Sequence, residues 1–96
     1  MDKPVRWLKP ALNDLDEIFN FIAIGSEQYA SIEVKDIFNA GVSLNRYYKR
    51  GHIIISSKRY EIRELFVRSY RLIYRVSADR VTILAVIHQR RNLRVT

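Results

Sequence analysis

The 96-residue chain has no cysteine, only three glycines and two prolines, and very little acid in its second half. Without cysteine there is no disulfide framework, no thiolate nucleophile and no cysteine-ligated metal. So little glycine and proline excludes a low-complexity or linker-like chain, which needs far more of both. No apolar run approaches the roughly 18–20 residues that a membrane-crossing helix requires. The opening MDKPVRWLKP has no apolar h-region of a secretory leader, so a cytoplasmic protein without membrane contact is expected. This length supports one modest core, hence a single domain over 1–96. No cofactor and no metal are expected.

The scarcity of acid is local. Residues 46–96 hold Glu61, Glu64 and Asp79 against thirteen Lys/Arg, eleven of them arginine. Residues 1–45 hold seven Asp/Glu against four Lys/Arg, so the formal net charge of +7 comes entirely from the second half. Arginine presents a planar fork that binds phosphate or carboxylate bidentately, whereas lysine acts as a point charge. Such asymmetry points to an anionic partner for the C-terminal half.

Val5-Arg6-Trp7-Leu8 has the pattern of a short strand, closed by Lys9-Pro10. Proline suits the first helical position because its missing N–H would have no partner there. Leu12, Leu15, Ile18, Phe19 and Ile22 then recur at helical spacing from Pro10 to about Gly25, with Asp14, Asp16 and Glu17 early enough to complement the helix dipole. Gly25-Ser26 breaks the pattern, and Ser26 is a suitable N-cap for a second helix. Its stripe is Ala30, Val34, Ile37, Phe38, Gly41, Leu44 and Tyr48, ending near Gly51. Helices linked so briefly form an antiparallel hairpin with one shared apolar face.

HIIISSK is expected to be a loop, with His52 incidental. Beyond it the apolar period falls from about 3.6 to about 2. YEIRELFV (60–67), YRLIYRV (70–76) and RVTILAVIH (80–88) are expected as strands joined by hairpin turns at Arg68-Ser69 and Ser77-Ala78-Asp79. The last is apolar on both faces and should be central. The expected fold is α+β, in the order β-α-α-β-β-β, with the helical hairpin on one face of a mainly antiparallel four-stranded sheet.

In YRLIYRV, alternation puts Tyr70, Leu72, Tyr74 and Val76 on the core face and Arg71, Ile73 and Arg75 on the outward one. Depending on register, Arg63 or Glu64 of the preceding strand faces Arg71 or Arg75, so cross-strand ion pairing competes with a binding role. Arg90, Arg91 and Arg94 gather after the last strand. Arg63, Arg71, Arg75, Arg90, Arg91 and Arg94 are therefore the candidates for gripping an anionic target or partner.

IRELFVRSYRLIYRV and RVTILAVIHQRR, with ALNDLDEIFNFI before them, resemble the RelE/ParE superfamily of toxins from bacterial type II toxin–antitoxin systems. The resemblance covers nearly the whole chain and implies one of two activities. RelE-like members are ribosome-dependent mRNA endonucleases; ParE-like members inhibit DNA gyrase by binding. In both, a cognate antitoxin neutralises the toxin.

Cutting RNA at a 2′-hydroxyl needs a base, an acid and cations for the phosphorane-like transition state. The resemblance to the nucleases places Arg71 on their strand arginine, and Arg91 (or Arg90 with a one-residue shift) on their basic residue after the last strand. His88 lies near the base of a related subgroup, in which a tyrosine follows; here Gln89 and Arg90 follow. The two lysines of the nucleases fall on Ile62 and Glu64, and their C-terminal tyrosine has no counterpart. IREL, YRLIYRV and VIHQRR are closer to ParE-like toxins. That branch implies a non-enzymatic gyrase inhibitor with an antitoxin partner. The alternative is a metal-independent nuclease with ribosome and mRNA as partners, using Arg71, His88 and Arg91. A homodimer and a toxin–antitoxin heterotetramer are both compatible with open sheet edges.

Overall fold

Pro10 lies in the first turn of one helix, and the Ser26 hydroxyl caps the next by accepting a hydrogen bond from the Tyr29 N–H at 3.0 Å. These two signals set the helical hairpin. In the computed structural model, which describes residues 2–90, the order is β1 (Val5–Trp7), α1 (Lys9–Ala23), α2 (Glu27–Ser43), β2 (His52–Ser56), β3 (Tyr60–Val67), β4 (Tyr70–Ser77) and β5 (Val81–His88). The strands form one sheet in the order β1-β5-β4-β3-β2, with β1 parallel to β5 and the other pairs antiparallel. Among the described residues no helix is long and apolar enough to cross a membrane.

The α+β class and the one-sided helical layer agree with expectation, but the sheet has five strands and is mixed. The added strand is the segment expected as a loop. All five residues of β2 are exposed, and a bulge interrupts its pairing with β3 between Ile53 and Ile55. An edge strand with no buried face has no alternation to betray it. The second helix also stops at Ser43, not near Tyr48. Tyr48 nevertheless packs against the core from the following loop, which is why the helical spacing persisted past the helix end.

The core lies between the helices and one face of β4 and β5. Ala11, Leu15 and Ile18 come from α1, Ile37 from α2 with Leu44 at its C-cap, Tyr70, Leu72, Tyr74 and Val76 from β4, and Val81, Ile83 and Val86 from β5. Leu15, Ile18 and Ile22 of the expected stripe pack on the core, but Leu12 is 42% exposed and Ala11 takes its place, fully buried. Trp7 of β1 stacks on Phe38 at 5.3 Å and roofs Gly41.

A Cβ at Gly41 would overlap the Trp7 ring. Alanine is favoured over glycine in a helix by about 1 kcal/mol, but overpacking a full contact costs about 1–3 kcal/mol. We expect Gly41→Ala to lower stability in urea melts, and the same change to be neutral or stabilising in a Trp7→Leu background. An additive pair would mean that the contact does not limit this site.

The buried Tyr74 hydroxyl donates to the Tyr48 carbonyl at 2.9 Å and accepts from the Gly51 N–H at 2.8 Å. Burial raises its pKa above the ordinary tyrosine value, with the Gly51 hydrogen bond pulling the other way. The unfolded chain therefore loses this proton first, near pH 10. The stabilising contribution is complete below that pH and is lost as pH rises through the folded pKa. Tyr74→Phe should cost about 1–3 kcal/mol near neutrality by orphaning the buried Gly51 N–H and the part-buried Tyr48 carbonyl. It should also weaken the fall of stability above about pH 10 without abolishing it, because burial raises Tyr70 as well. Denaturation at neutral and alkaline pH measures both effects.

Candidate functional site

Strand register decides which charges share a face. Across β3 and β4, Glu64 faces Ile73, Phe66 faces Arg71 and Ile62 faces Arg75. Across β4 and β5, Arg71 faces Ile87 and Arg75 faces Thr82, and Thr82 faces Arg6 of β1 on its other side. Arg6, Arg71 and Arg75 thus share the sheet face away from the helices.

On that face Arg71 Nη1 lies 3.1 Å from Glu64 Oε1, and the two side chains are only 15% and 21% exposed. The carboxylate that stands where nucleases carry a lysine is the ion-pair partner of the strand arginine. Arg75 and Arg90 are exposed, and neither is in an ion pair among the described residues. Arg91 and Arg94 lie outside the described residues.

Arg63 points the other way. It sits across from Tyr74, is 8% exposed, and donates from Nη1 to the carbonyls of Gly51 at 2.6 Å and Lys49 at 3.0 Å. Its Nε donates to Glu61 Oε1 at 2.9 Å. As placed, this expected surface cation is an interior strut, because alternation from Leu65, which packs on the core, carries Arg63 to the same side. That alternation was the available signal; charge alone suggested the opposite.

His88 is also on the helix-facing side. Its ring meets Tyr70 edge-on at 5.4 Å, and its Nδ1 accepts from the Arg90 N–H at 3.2 Å. With Asp14, Glu17, Ile18 and Phe21 it borders a groove of about 240 Å³ beside α1. Arg71 and His88, which a nuclease would have to bring together, therefore occupy opposite faces of the sheet. The other histidine, His52, is exposed on β2 with its ring 6.1 Å from Phe66. Among the described residues no group of three or more His, Asp or Glu is arranged to hold a metal.

Sequence reasoning overlooked the loop between α2 and β2, because it lay inside the expected second helix. Arg46, Tyr47, Tyr48, Lys49 and Arg50 line an open groove of about 670 Å³. The signal was present as an unbroken basic-aromatic stretch, RYYKR. Arg63 and Tyr74 hold its backbone from beneath through Tyr48 O, Lys49 O, Gly51 O and Gly51 N. Lys3 Nζ lies 5.0 Å from the centre of the Tyr48 ring.

Comparison with known proteins agrees with this architecture. The family model described as ParE toxin of type II toxin-antitoxin system, parDE, matches residues 5–93. A chromosomal ParDE system structure from P. aeruginosa is similar with a TM-score of 0.73 and 19% identity, covering 90% of this chain and 95% of that one. The YoeB dimer from Staphylococcus aureus is similar with a TM-score of 0.52 and 16% identity, covering 93% of this chain and 99% of that one. No curated protein matches the sequence. With a match spanning 5–93, the chain belongs to the ParE toxin family of type II toxin–antitoxin systems.

Proposed function

We propose that this protein is a cytoplasmic toxin that arrests growth by binding DNA gyrase, and that a cognate antitoxin holds it inactive. The observation that carries this reading over a ribosome-dependent nuclease is the separation of Arg71 and His88 on opposite sheet faces, with Arg71 paired to Glu64. A nuclease needs its base and its phosphate-binding cation around one scissile bond. Binding needs only a complementary surface. Arg75 and Arg90 supply exposed guanidinium groups for acidic target surface, with Arg71, Arg91 and Arg94 as further candidates.

The antitoxin has apolar surface to cover. Phe21, which lines the His88 groove, is 74% exposed, and Ile24 at the C-cap of α1 is 85% exposed. Ile53 and Ile55 are 51% and 46% exposed on the open β2 edge. An amphipathic helix suits the first region, and an extended segment added as a strand suits the second.

Purified protein is expected to inhibit gyrase supercoiling and to leave no codon-specific cuts in a cell-free translation reaction. His88→Ala should change inhibition by no more than about twofold, the effect of an ordinary surface substitution. Arg75→Glu combined with Arg90→Glu should weaken it by about tenfold or more, by reversing charge at the contact. Codon-specific mRNA cleavage that disappears in a folded His88→Ala variant would overturn the binding mechanism in favour of the nuclease.

A further inference from the structure

The Arg46–Arg50 loop has the construction of a display platform. Burying a guanidinium is costly unless its donors are satisfied. Arg63 is 8% exposed, and its Nη1 is satisfied by two carbonyls that belong to this loop and its exit, Lys49 O and Gly51 O. The buried Tyr74 hydroxyl engages Tyr48 O and Gly51 N. At the loop's other end the Lys3 N–H donates to Asn45 O at 2.7 Å. The backbone is therefore fixed from below while Arg46, Tyr47, Lys49 and Arg50 point to solvent.

These exposed side chains are three cations and one aromatic ring. Tyr47 is 58% exposed, although it is a large ring in a chain with core to fill. Lys49 and Arg50 are in no ion pair among the described residues, and Arg46 has only a long, exposed contact with Asp2 at 3.6 Å. A flat ring set among cations on a fixed backbone is the combination that binds unpaired bases by stacking and their phosphates by charge. An acidic peptide would use the cations but leave the ring without a role. A duplex offers no unstacked base.

We propose that the α2–β2 loop is a binding site for single-stranded nucleic acid, with Tyr47 as the stacking platform and Arg46, Lys49 and Arg50 as the phosphate contacts. The site is separate from the outer-face arginines and does not depend on gyrase being the target. Pre-fixing of the loop by Arg63 and Tyr74 lowers the ordering cost of binding.

Fluorescence anisotropy of a labelled oligodeoxythymidylate, with the full chain at low and moderate salt, tests the proposal. Wild-type protein should bind with an affinity that falls as salt rises, and should prefer the single strand to a duplex of equal length. Tyr47→Ala should weaken binding about tenfold. Arg46→Glu, Lys49→Glu and Arg50→Glu together should abolish it. A charge-matched control, Lys9→Glu, Lys35→Glu and Lys58→Glu, alters exposed lysines outside the loop and should retain most of the affinity. Each variant is checked by thermal melting, so lost binding is read only from folded protein. Unchanged binding by Tyr47→Ala, or an equal loss in the control, would overturn the site and leave only non-specific attraction. Tighter binding of polyglutamate than of the oligonucleotide would also overturn it and assign the loop to an acidic peptide.

Discussion

The structure depends most on a charge placed inside it. Arg63 sits beneath the chain where it crosses from the end of α2 to the far edge of the sheet, and Tyr74, its cross-strand neighbour, sits beside it. Backbone turns satisfy the first part of the crossing, as in Tyr47 N–H to Ser43 O and Arg50 N–H to Tyr47 O, but Tyr48 O, Lys49 O, Gly51 O and Gly51 N take side-chain partners. The guanidinium and the phenol are those partners, and Glu61 at 2.9 Å offsets the charge. Gly51 belongs to the same arrangement. A Cβ there would come within 2.6 Å of both Glu64 O and the Tyr74 hydroxyl, so only glycine permits the approach. An apolar residue in place of Arg63 could fill the volume, but it would leave the loop carbonyls without donors.

The same economy of acid governs the rest of the basic half. Its three acids are each committed to an arginine: Glu61 to Arg63, Glu64 to Arg71, and Asp79 to Arg80. Arg68 reaches instead across the domain to Glu33 and Asp36 of α2. Glu33 is only 3% exposed, and a carboxylate buried that deeply requires a partner. Arg68 meets the need from the first position of the β3–β4 turn, with φ at 55°, a conformation unusual for a residue with a side chain. A glycine would be easier for the backbone but would leave Glu33 unanswered. Among the described residues of this half, the positive charge that remains exposed after internal pairing falls on the 46–50 loop, the β2–β3 turn, Arg75 and Arg90.

Periodicity made the helical hairpin, the three hairpin strands and the core face of β4 legible, because each buries one face against the other layer. It failed where burial and spacing part company. The β2 isoleucines carry strand propensity but no buried side, and Tyr48 continues a helical stripe after the helix has ended. Charge misled in the opposite sense at Arg63, which reads as surface until its alternation with Leu65 is weighed against its chemistry. The Arg68–Glu33 pairing joins residues far apart in sequence and has no local signature. Of the candidate arginines, Arg75 and Arg90 are exposed as expected, Arg71 is paired with Glu64, and Arg63 is inside.

The placement of His88 follows from topology and not from a choice of side-chain rotamer. In an antiparallel pair, residues directly opposite share a face, so the pairing of Arg71 with Ile87 and of Tyr70 with His88 puts arginine and imidazole on different sides. Turning His88 toward Arg71 would require β5 to slip by one residue. A bulge between Ile83 and Ala85 already separates the two ends of the strand, so the slip need involve only residues 85–88. It would carry Val86 out of the core and turn Ile87 toward the helices. Core packing and the separation of these two groups are therefore one constraint. A sequence of this pattern cannot recover the nuclease arrangement by adjusting the two side chains alone; it would have to repack the strand that fills its own interior.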